Sequence, residues 1–556
     1  MEDRMLDFGM NINCADASLE NAEECVDAMT ADLMRRMGCS EKVARLCGKV
    51  VARQNDSGDV CLPVDDEALA AELKSSPGIT FLSAEETDDE VRTPFLFYGN
   101  WLYTRRNWEY EKNIRQRVRK MAASAMDKPI KVPTDGPFAV KDQSHERGME
   151  PCQWHGVEMM CNHRFSLLTG GPGTGKTFTI ARAVKLILAE EGKMRLGLAA
   201  PTGKAAARVK EAMAFEAKSL GLTDIPNAMT IHSLLGSNYD LVSFKHNRQN
   251  PLPLDWLIVD EASMIDLALM SKLVDALPDG CRLTLVGDAH QLASVEPGRV
   301  FGDLCQMEGL PICKLDVSRR FPQGGEIDAL AHAVNCGDGE KALEMLRKPE
   351  NQLLHYEVVS SNTAFQPELW GSFLKTVKSH FAEFARQTTV GGALAKLNEC
   401  RILCALRHGP YGVQRLNEVI RRVLGEQTPV PMMIVKNNHS LGVSNGDVGV
   451  VMPKEDTLCL LKEDGTIRRL PLALLPDREM AFASTIHKAQ GSEYSDVIIV
   501  IPPSTGQQKQ NPLLTREILY TAVTRTKKQV FLFSDDVSIK TCCQQCIKRE
   551  TGLRSN

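Results

Sequence analysis

Lys176 and Thr177 close the run Thr169-Gly170-Gly171-Pro172-Gly173-Thr174-Gly175-Lys176-Thr177, and glycines at that spacing before a lysine and a hydroxyl make a phosphate cradle. Gly170, Gly173 and Gly175 let backbone amides converge on a β-phosphate without a Cβ in the way, and Lys176 reaches the β- and γ-phosphates. Thr177 offers a hydroxyl to Mg²⁺, and the phosphate sits at the positive end of the helix that follows. A second signature is Asp260-Glu261 after the apolar run Trp256-Leu257-Ile258-Val259. There Asp260 would hold the Mg²⁺ shell and Glu261 would orient or deprotonate the attacking water. An acidic pair can also end an ordinary strand, but beside the cradle it completes metal, base and phosphate clamp. Gln291, in Gly287-Asp288-Ala289-His290-Gln291-Leu292, is placed to sense the γ-phosphate. Most helix arginines are surface ion-pair residues, so Arg525, in Tyr520-Thr521-Ala522-Val523-Thr524-Arg525, is read as an arginine finger only from its context. The expected substrate is ATP·Mg²⁺, and Glu261 favours hydrolysis over binding alone.

These residues need strands to deliver them. Phe165–Leu168 reads as a buried strand that breaks into the glycines and reopens as a helix, with Ile180, Val184, Ile187 and Leu188 on one face. Further strands are expected at Arg195–Ala200, Trp256–Val259 and Arg282–Val286, alternating with helices, and each ends in a polar signature. That pattern predicts an α/β fold with a parallel sheet and chemistry beyond the carboxyl ends of its strands. A second alternating unit, with strands at Arg401–Ala405, Val497–Ile501 and Val530–Phe533, has no phosphate cradle of its own. Two sheets with one cradle suggest a nucleotide held between two lobes, the far lobe supplying Arg525, which is expected late on a helix. Between 430 and 480 the texture changes to short strands at Met432–Val435, Val448–Met452, Leu458–Leu461 and Ile467–Leu470, set off by Asn445-Gly446-Asp447 and Asp464-Gly465 turns. These read as a small inserted β-barrel. Upstream, Phe95–Tyr98 and Trp101–Tyr103 form a hairpin about Gly99-Asn100, and Asn107–Met121 is helical with Ile114, Val118 and Met121 inward and its charges solvated. Asp127–Gly148 reads as a linker.

The chain has 556 residues, enough for several domains, and a net charge of −5, so no global basic field advertises nucleic acid. A local basic lining suffices for a protein that threads a strand through one cleft. The 17 cysteines are scattered, and no run approaches the ~20 apolar residues of a membrane span. A reducing, cytoplasmic setting without membrane insertion is expected. Cys542, Cys543 and Cys546 lack a well-placed partner pair for a metal and read as small residues of a C-terminal helix.

With its motifs in chain order, the sequence resembles superfamily 1 DNA helicases of the RecD type, the alpha subunits of exodeoxyribonuclease V, over nearly its whole length. The resemblance implies two RecA-like motor lobes, at 141–325 and 326–556, the latter with an SH3-like module at 430–480. It also implies an N-terminal partner-docking domain at 1–140 and a possible strand-splitting pin at 240–252. It makes Gln153 an adenine-reading residue and assigns Gly491 and Glu493 to the nucleotide, together with Gly170, Gly171, Pro172, Gly173, Thr174 and Gly175. Pro201, Thr202, Gly203, Lys204, Thr230, His232, Thr485, His487, Lys488 and Gln490 become DNA contacts, and Asn445 of the inserted module joins them. Ser318-Arg319-Arg320-Phe321 makes Arg320 a second γ-phosphate candidate. The implied activity is ATP-dependent 5′→3′ DNA unwinding in double-strand break repair and recombination. The implied partners are single-stranded and duplex-end DNA and RecB- and RecC-like subunits. No paired-carboxylate and lysine constellation for phosphodiester cleavage is seen, so nuclease activity would belong to a partner. The alternatives are an ATP-switched regulatory or assembly subunit, a stand-alone RecD-like enzyme, and an RNA-directed helicase of the same superfamily.

Overall fold

The computed structural model describes residues 19–83, 93–124, 126, 128–141, 148–222, 225–237, 244–318, 325–359, 370–438, 440–462, 465–504 and 511–554, with the side chains of 19–25 not described. After the helices Leu19–Arg36 and Glu41–Asp56 come the first four strands, β1 Cys61–Pro63, β2 Ile79–Leu82, β3 Phe95–Tyr98 and β4 Trp101–Thr104. They form a sheet in the order β1-β4-β3-β2, with β2 and β3 parallel and the other pairs antiparallel. The two-residue hairpin is present, and Gly99 takes the positive φ its turn needs (57°). The helix Arg105–Ala123 then buries Ile114, Val118 and Met121 as its spacing predicts. Its charged face is not all solvated: Glu111 and Arg115 are buried too, because they meet the C-terminal tail.

The six strands that follow are β5 Phe165–Gly170, β6 Leu196–Ala200, β7 Met229–Thr230, β8 Trp256–Val259, β9 Arg282–Gly287 and β10 Ile312–Leu315. They make one all-parallel sheet in the order β10-β5-β9-β8-β6-β7. Such sheets are covered on both faces, which is why β5 and β8 read as continuous apolar runs rather than alternating ones. One face packs with Ile180, Val184 and Ile187 of the helix Lys176–Glu191. On the other, Leu283 and Leu285 share a continuous core with Met270, Leu273, Trp108, Ile114 and Val118. Trp256 is fully buried and donates its indole N–H to Thr284 Oγ1 at 3.0 Å. Truncating it to alanine would cost about 3–5 kcal/mol.

Later in the chain come β11 Leu354–Val358, β12 Cys400–Cys404, β13 Val430–Ile434, β14 Val448–Val451, β15 Thr457–Leu461, β16 Ile467–Pro471, β17 Arg478–Met480, β18 Ala483–Thr485, β19 Tyr494–Val500 and β20 Thr526–Ser534. A second all-parallel sheet runs β11-β20-β19-β12-β18. Between β12 and β18 the chain leaves it to build a five-stranded antiparallel sheet, β16-β15-β14-β13-β17, in which the ladders end at β16 and β17. Cys542 and Cys543 are buried on the helix Asp536–Gln544, and among the described residues no group of three or more metal-ligating side chains converges. No described helix is long and apolar enough to cross a membrane.

The tail after that helix returns across the molecule. Arg549 donates to the carbonyls of Ser294 (2.8 Å), Glu296 (2.9 Å) and Gly298 (2.6 Å) beyond β9. The Val60 N–H donates to Glu550 O at 2.8 Å, Arg115 to Gly552 O at 2.9 Å, and Arg554 to Asp303 at 2.6 Å.

Candidate nucleotide site between two parallel sheets

The loops beyond the carboxyl ends of β5, β8 and β9 meet the turn that leads into β20 around a cavity of about 660 Å³. Its lining includes Gln153, Pro172, Gly173, Thr174, Gly175, Lys176, Thr177, Asp260, Glu261, Gln291, Glu493 and Arg525. Gly173 and Gly175 have φ of 79° and 83°, a region that costs an L-residue roughly 1–2 kcal/mol. Gly175 also caps the helix Lys176–Glu191, aiming that helix's free amides at the cavity. A Cβ on Gly170 would lie 2.8 Å from Leu315 O, so glycine is also required there by the close approach of β10. Lys176 Nζ donates to Gly170 O (2.7 Å) and Gly171 O (3.0 Å), an ammonium held over the cradle by its own backbone. Gln153 donates from Nε2 to Thr174 O at 2.9 Å and accepts at Oε1 from Glu150 N at 3.1 Å, so its amide fastens the cradle to the helix Pro151–Asn162.

The acidic pair stands at the end of β8. Glu261 adopts a left-handed conformation (φ 52°, ψ 37°), rare for a non-glycine residue and typical of strain held at a working site. Its amide donates to Asp260 Oδ1 at 2.8 Å. Burial, and then the charge of Glu261, push the Asp260 carboxyl up to about 6, while Lys176 pulls it down. Gln291, beyond β9, is buried and donates to Asp288 Oδ2 at 3.0 Å.

Arg525 reaches this cavity from the second sheet. The helix Arg516–Val523 ends before it, so Arg525 sits in the turn into β20 rather than late on the helix. It is 2% exposed, donating from Nε to Thr521 O at 3.2 Å and from Nη1 to Ser492 O at 3.4 Å. Burial lowers its pKa and the charge of Glu261 raises it. Arg320 lies outside the described residues; Ser318 just before it donates to Pro172 O at 3.1 Å.

Arg208, to which the sequence reading gives no role, bridges the two sheets. It pairs with Glu493 at 2.6 Å and donates to Gly491 O at 3.0 Å. Lys527, also on the cavity wall, lies 3.8 Å from Glu493. The available signal was position: Arg208 follows Lys204 by one helical turn on Gly203–Leu220. Tyr494, with no sequence role either, is buried with Lys204 5.8 Å and Arg401 5.1 Å from its ring centre. Burial pushes its phenol up, but Lys204 and Arg401 overcome that and bring it down to about 8.

The residues expected to grip a strand fall in separate places. Thr202 caps the helix Gly203–Leu220 by accepting from Ala205 N at 3.2 Å, next to Pro201, and burial lowers the Lys204 pKa. Thr230 caps the helix Ile231–Leu235, and the His232 ring, its pKa lowered by burial, lies 5.9 Å from Phe244. Of the 240–252 stretch only residues from 244 are described, with Asn247 and Asn250 bridged. Thr485 accepts from Lys488 N at 3.3 Å, Lys488 pairs with Glu479, and burial lowers the His487 pKa. Gln490 is buried and donates to Leu292 O at 2.7 Å, a link between the sheets rather than an open surface group. The Asn445 amide donates to Asn437 Oδ1 at 2.7 Å in the connection between β13 and β14.

Residues 153–297 match a family described as AAA domain, and residues 480–533 match the UvrD-like helicase C-terminal domain. The RecBCD enzyme subunit RecD of Mycolicibacterium smegmatis is 36% identical over 533 residues, 89% of this chain and 90% of that one. The chain belongs to the RecD family. The RecD of Haemophilus influenzae is 32% identical, covering 84% of this chain and 82% of its own. An ATP-dependent RecD2 DNA helicase of Deinococcus radiodurans is 31% identical over 76% of this chain and 53% of its own length. Within this chain, the AAA match spans β5 to β9 with Gln153, Lys176, Asp260, Glu261 and Gln291, and the UvrD-like match carries Gly491, Glu493 and Arg525.

Proposed function

We propose that this chain is an ATP-dependent DNA helicase that works as the motor subunit of a RecBCD-type complex, with RecB- and RecC-like partners and single-stranded and duplex-end DNA as its track. One observation carries the reading: Lys176 from one parallel-sheet unit and Arg525 from the other line the same cavity, with Asp260, Glu261 and Gln291 between them. Lys176 exchanges the Gly170 and Gly171 carbonyls for the β- and γ-phosphates. Glu261 orients the attacking water, and Arg525 takes the charge that develops on the transferred phosphoryl group. Gln153 reads the base beside the cradle, and Arg320 is a second arginine for the γ-phosphate.

The Thr177 hydroxyl and the Asp260 carboxylate fit a divalent cation, because both line the cavity and burial, then the adjacent charge of Glu261, raise the Asp260 pKa, which a cation there would offset. Held by Thr177 and Asp260, Mg²⁺ would supply positive charge against the phosphates.

Closure and reopening of the two lobes, alternating grip between Pro201–Lys204, Thr230 and His232 on one and Thr485–Gln490 on the other, would step the chain along a strand. Melting costs on the order of 1.4 kcal/mol per base-pair step, a load an ATP cycle tolerates. The inserted sheet with Asn445 is read as an SH3-like module, 244–252 as part of a pin, and the N-terminal unit as the docking domain for partner subunits. The direction is 5′→3′ by family resemblance.

A Lys176→Ala variant should bind DNA and keep its fold while losing DNA-stimulated ATP turnover and strand displacement. Wild-type turnover by that variant with single-stranded DNA present would overturn the site.

A further inference from the structure

The loop that brings Gln291 to the nucleotide cavity is anchored on the opposite lobe, and the anchor is a tyrosine hydroxyl. Asp288 is 1% exposed. Its Oδ1 accepts from His290 N at 3.0 Å, and its Oδ2 accepts both from Gln291 Nε2 at 3.0 Å and from Tyr520 Oη at 2.9 Å. Tyr520 belongs to the helix Arg516–Val523 and is 5% exposed. The next residue, Thr521, accepts from Leu292 N at 3.1 Å through its hydroxyl, and its carbonyl accepts from Arg525 Nε at 3.2 Å. Tyr520 also borders the cradle, since a Cβ on Gly171 would lie 3.0 Å from its hydroxyl. Burial and then the Asp288 charge hold the phenol far above its ordinary pKa, so it stays a donor.

We propose that the Tyr520 hydroxyl is a positioning group that couples Gln291 to Arg525, so that one buried carboxylate registers the phosphate sensor and the finger together. The inference rests on the reading of Gln291 and Arg525 given above. A phosphate-dependent shift of Gln291 pulls on Asp288, and Asp288 passes it through Tyr520 to the helix Arg516–Val523, whose Thr521 carbonyl holds Arg525 in the turn that follows. Phenylalanine would fill the same space but donate nothing, leaving Asp288 with Gln291 and the His290 amide. Sensor and finger would then move independently.

The test uses Tyr520→Phe in the full chain, measuring steady-state ATP hydrolysis with saturating single-stranded DNA and strand displacement per ATP consumed. The variant should lose roughly ten- to a hundredfold in kcat, the range of a hydrogen bond to a charged acceptor, with KM for ATP within about twofold. Displacement per ATP should fall as well. Asp288→Asn, which keeps an acceptor but removes the charge, should show the same kcat-against-KM split, and the double variant should be no worse than the weaker single. Should Tyr520→Phe fail to fold, Asp288→Asn carries the same readout. An unchanged kcat, a raised KM at constant kcat, or additive losses in the double variant would overturn the coupling. A wild-type chain without DNA-stimulated turnover would instead sink the underlying site reading.

Discussion

Arg525→Ala removes the single charge that reaches the cradle from the far lobe among the described residues assigned to phosphate transfer. A unit charge about 4 Å from developing phosphoryl charge, at an effective dielectric of about 20, contributes about 4 kcal/mol. At about 1.4 kcal/mol per factor of ten that is close to a thousandfold in kcat, the lower end of what arginine fingers supply. The structural loss is smaller. Thr521 O and Ser492 O each lose one donor, about 1 kcal/mol apiece, and burial already disfavours the guanidinium charge. Ground-state binding rests mainly on the cradle at Gly170–Thr177, so the dissociation constant for ATP should stay within about threefold. Phosphate release with saturating single-stranded DNA gives kcat, a fluorescent ATP analogue gives affinity, and a thermal melt shows that the fold survives. A variant that binds ATP normally and keeps kcat within tenfold of wild type would refute the finger assignment.

Gly175→Ala should lower both stability and nucleotide affinity, by about 1–2 kcal/mol from its φ of 83° alone, since its Cβ would also lie 2.4 Å from Gln153 Nε2; melting and ATP titration check this. Truncation after Gln545 should lower the melting midpoint and speed hydrogen exchange at Val60, whose amide donates to Glu550 O, because every tie made by Arg549 and Arg554 is lost. Glu111 is buried, which raises its pKa, so the wild type should lose stability as pH climbs above the ordinary carboxylate range, where the unfolded chain has already released that proton. Glu111→Gln has no such proton to hold, so its stability relative to wild type should improve with rising pH in denaturant titrations.

What could be read in the chain, and what could not, divides by the range of the interaction. Glycine spacing places the phosphate cradle because Gly173 and Gly175 must take positive φ locally, and the apolar run 256–259 makes β8 because a parallel strand is buried on both faces. The edge strands β7 and β11 of the two parallel sheets were not legible. Met229–Thr230 is two residues long, and Leu354–Val358 is exposed at one end, so neither shows a buried-strand pattern. Glu111 and Arg115 read as a solvated face because their partners Thr551 and Gly552 lie more than four hundred residues away. Arg525 was placed on a helix by the pattern of its neighbours, whereas the chain turns after Val523 and thereby points the guanidinium inward. Nothing local marks Tyr520 as different from any helix tyrosine; its significance comes from Asp288, 232 positions earlier.

These long-range ties concentrate on one segment, the stretch from Asp288 to Gly298 after β9. Its first half is gripped by the second lobe through Tyr520, Thr521 and Gln490, and its second half by Arg549 of the returning tail. Gln291 sits within the first half, so under its proposed role as phosphate sensor a change at the terminal phosphate would act on a loop that the other lobe already holds at several points. A loop tied that way transmits a displacement instead of absorbing it, because its buried polar groups have no water to fall back on when a partner leaves. Under that proposal, coupling nucleotide state to lobe position would need no long lever in this chain. The cavity wall and the connection between lobes are the same few residues, so weakening Tyr520 or the tail should change how hydrolysis is used before it changes whether ATP binds.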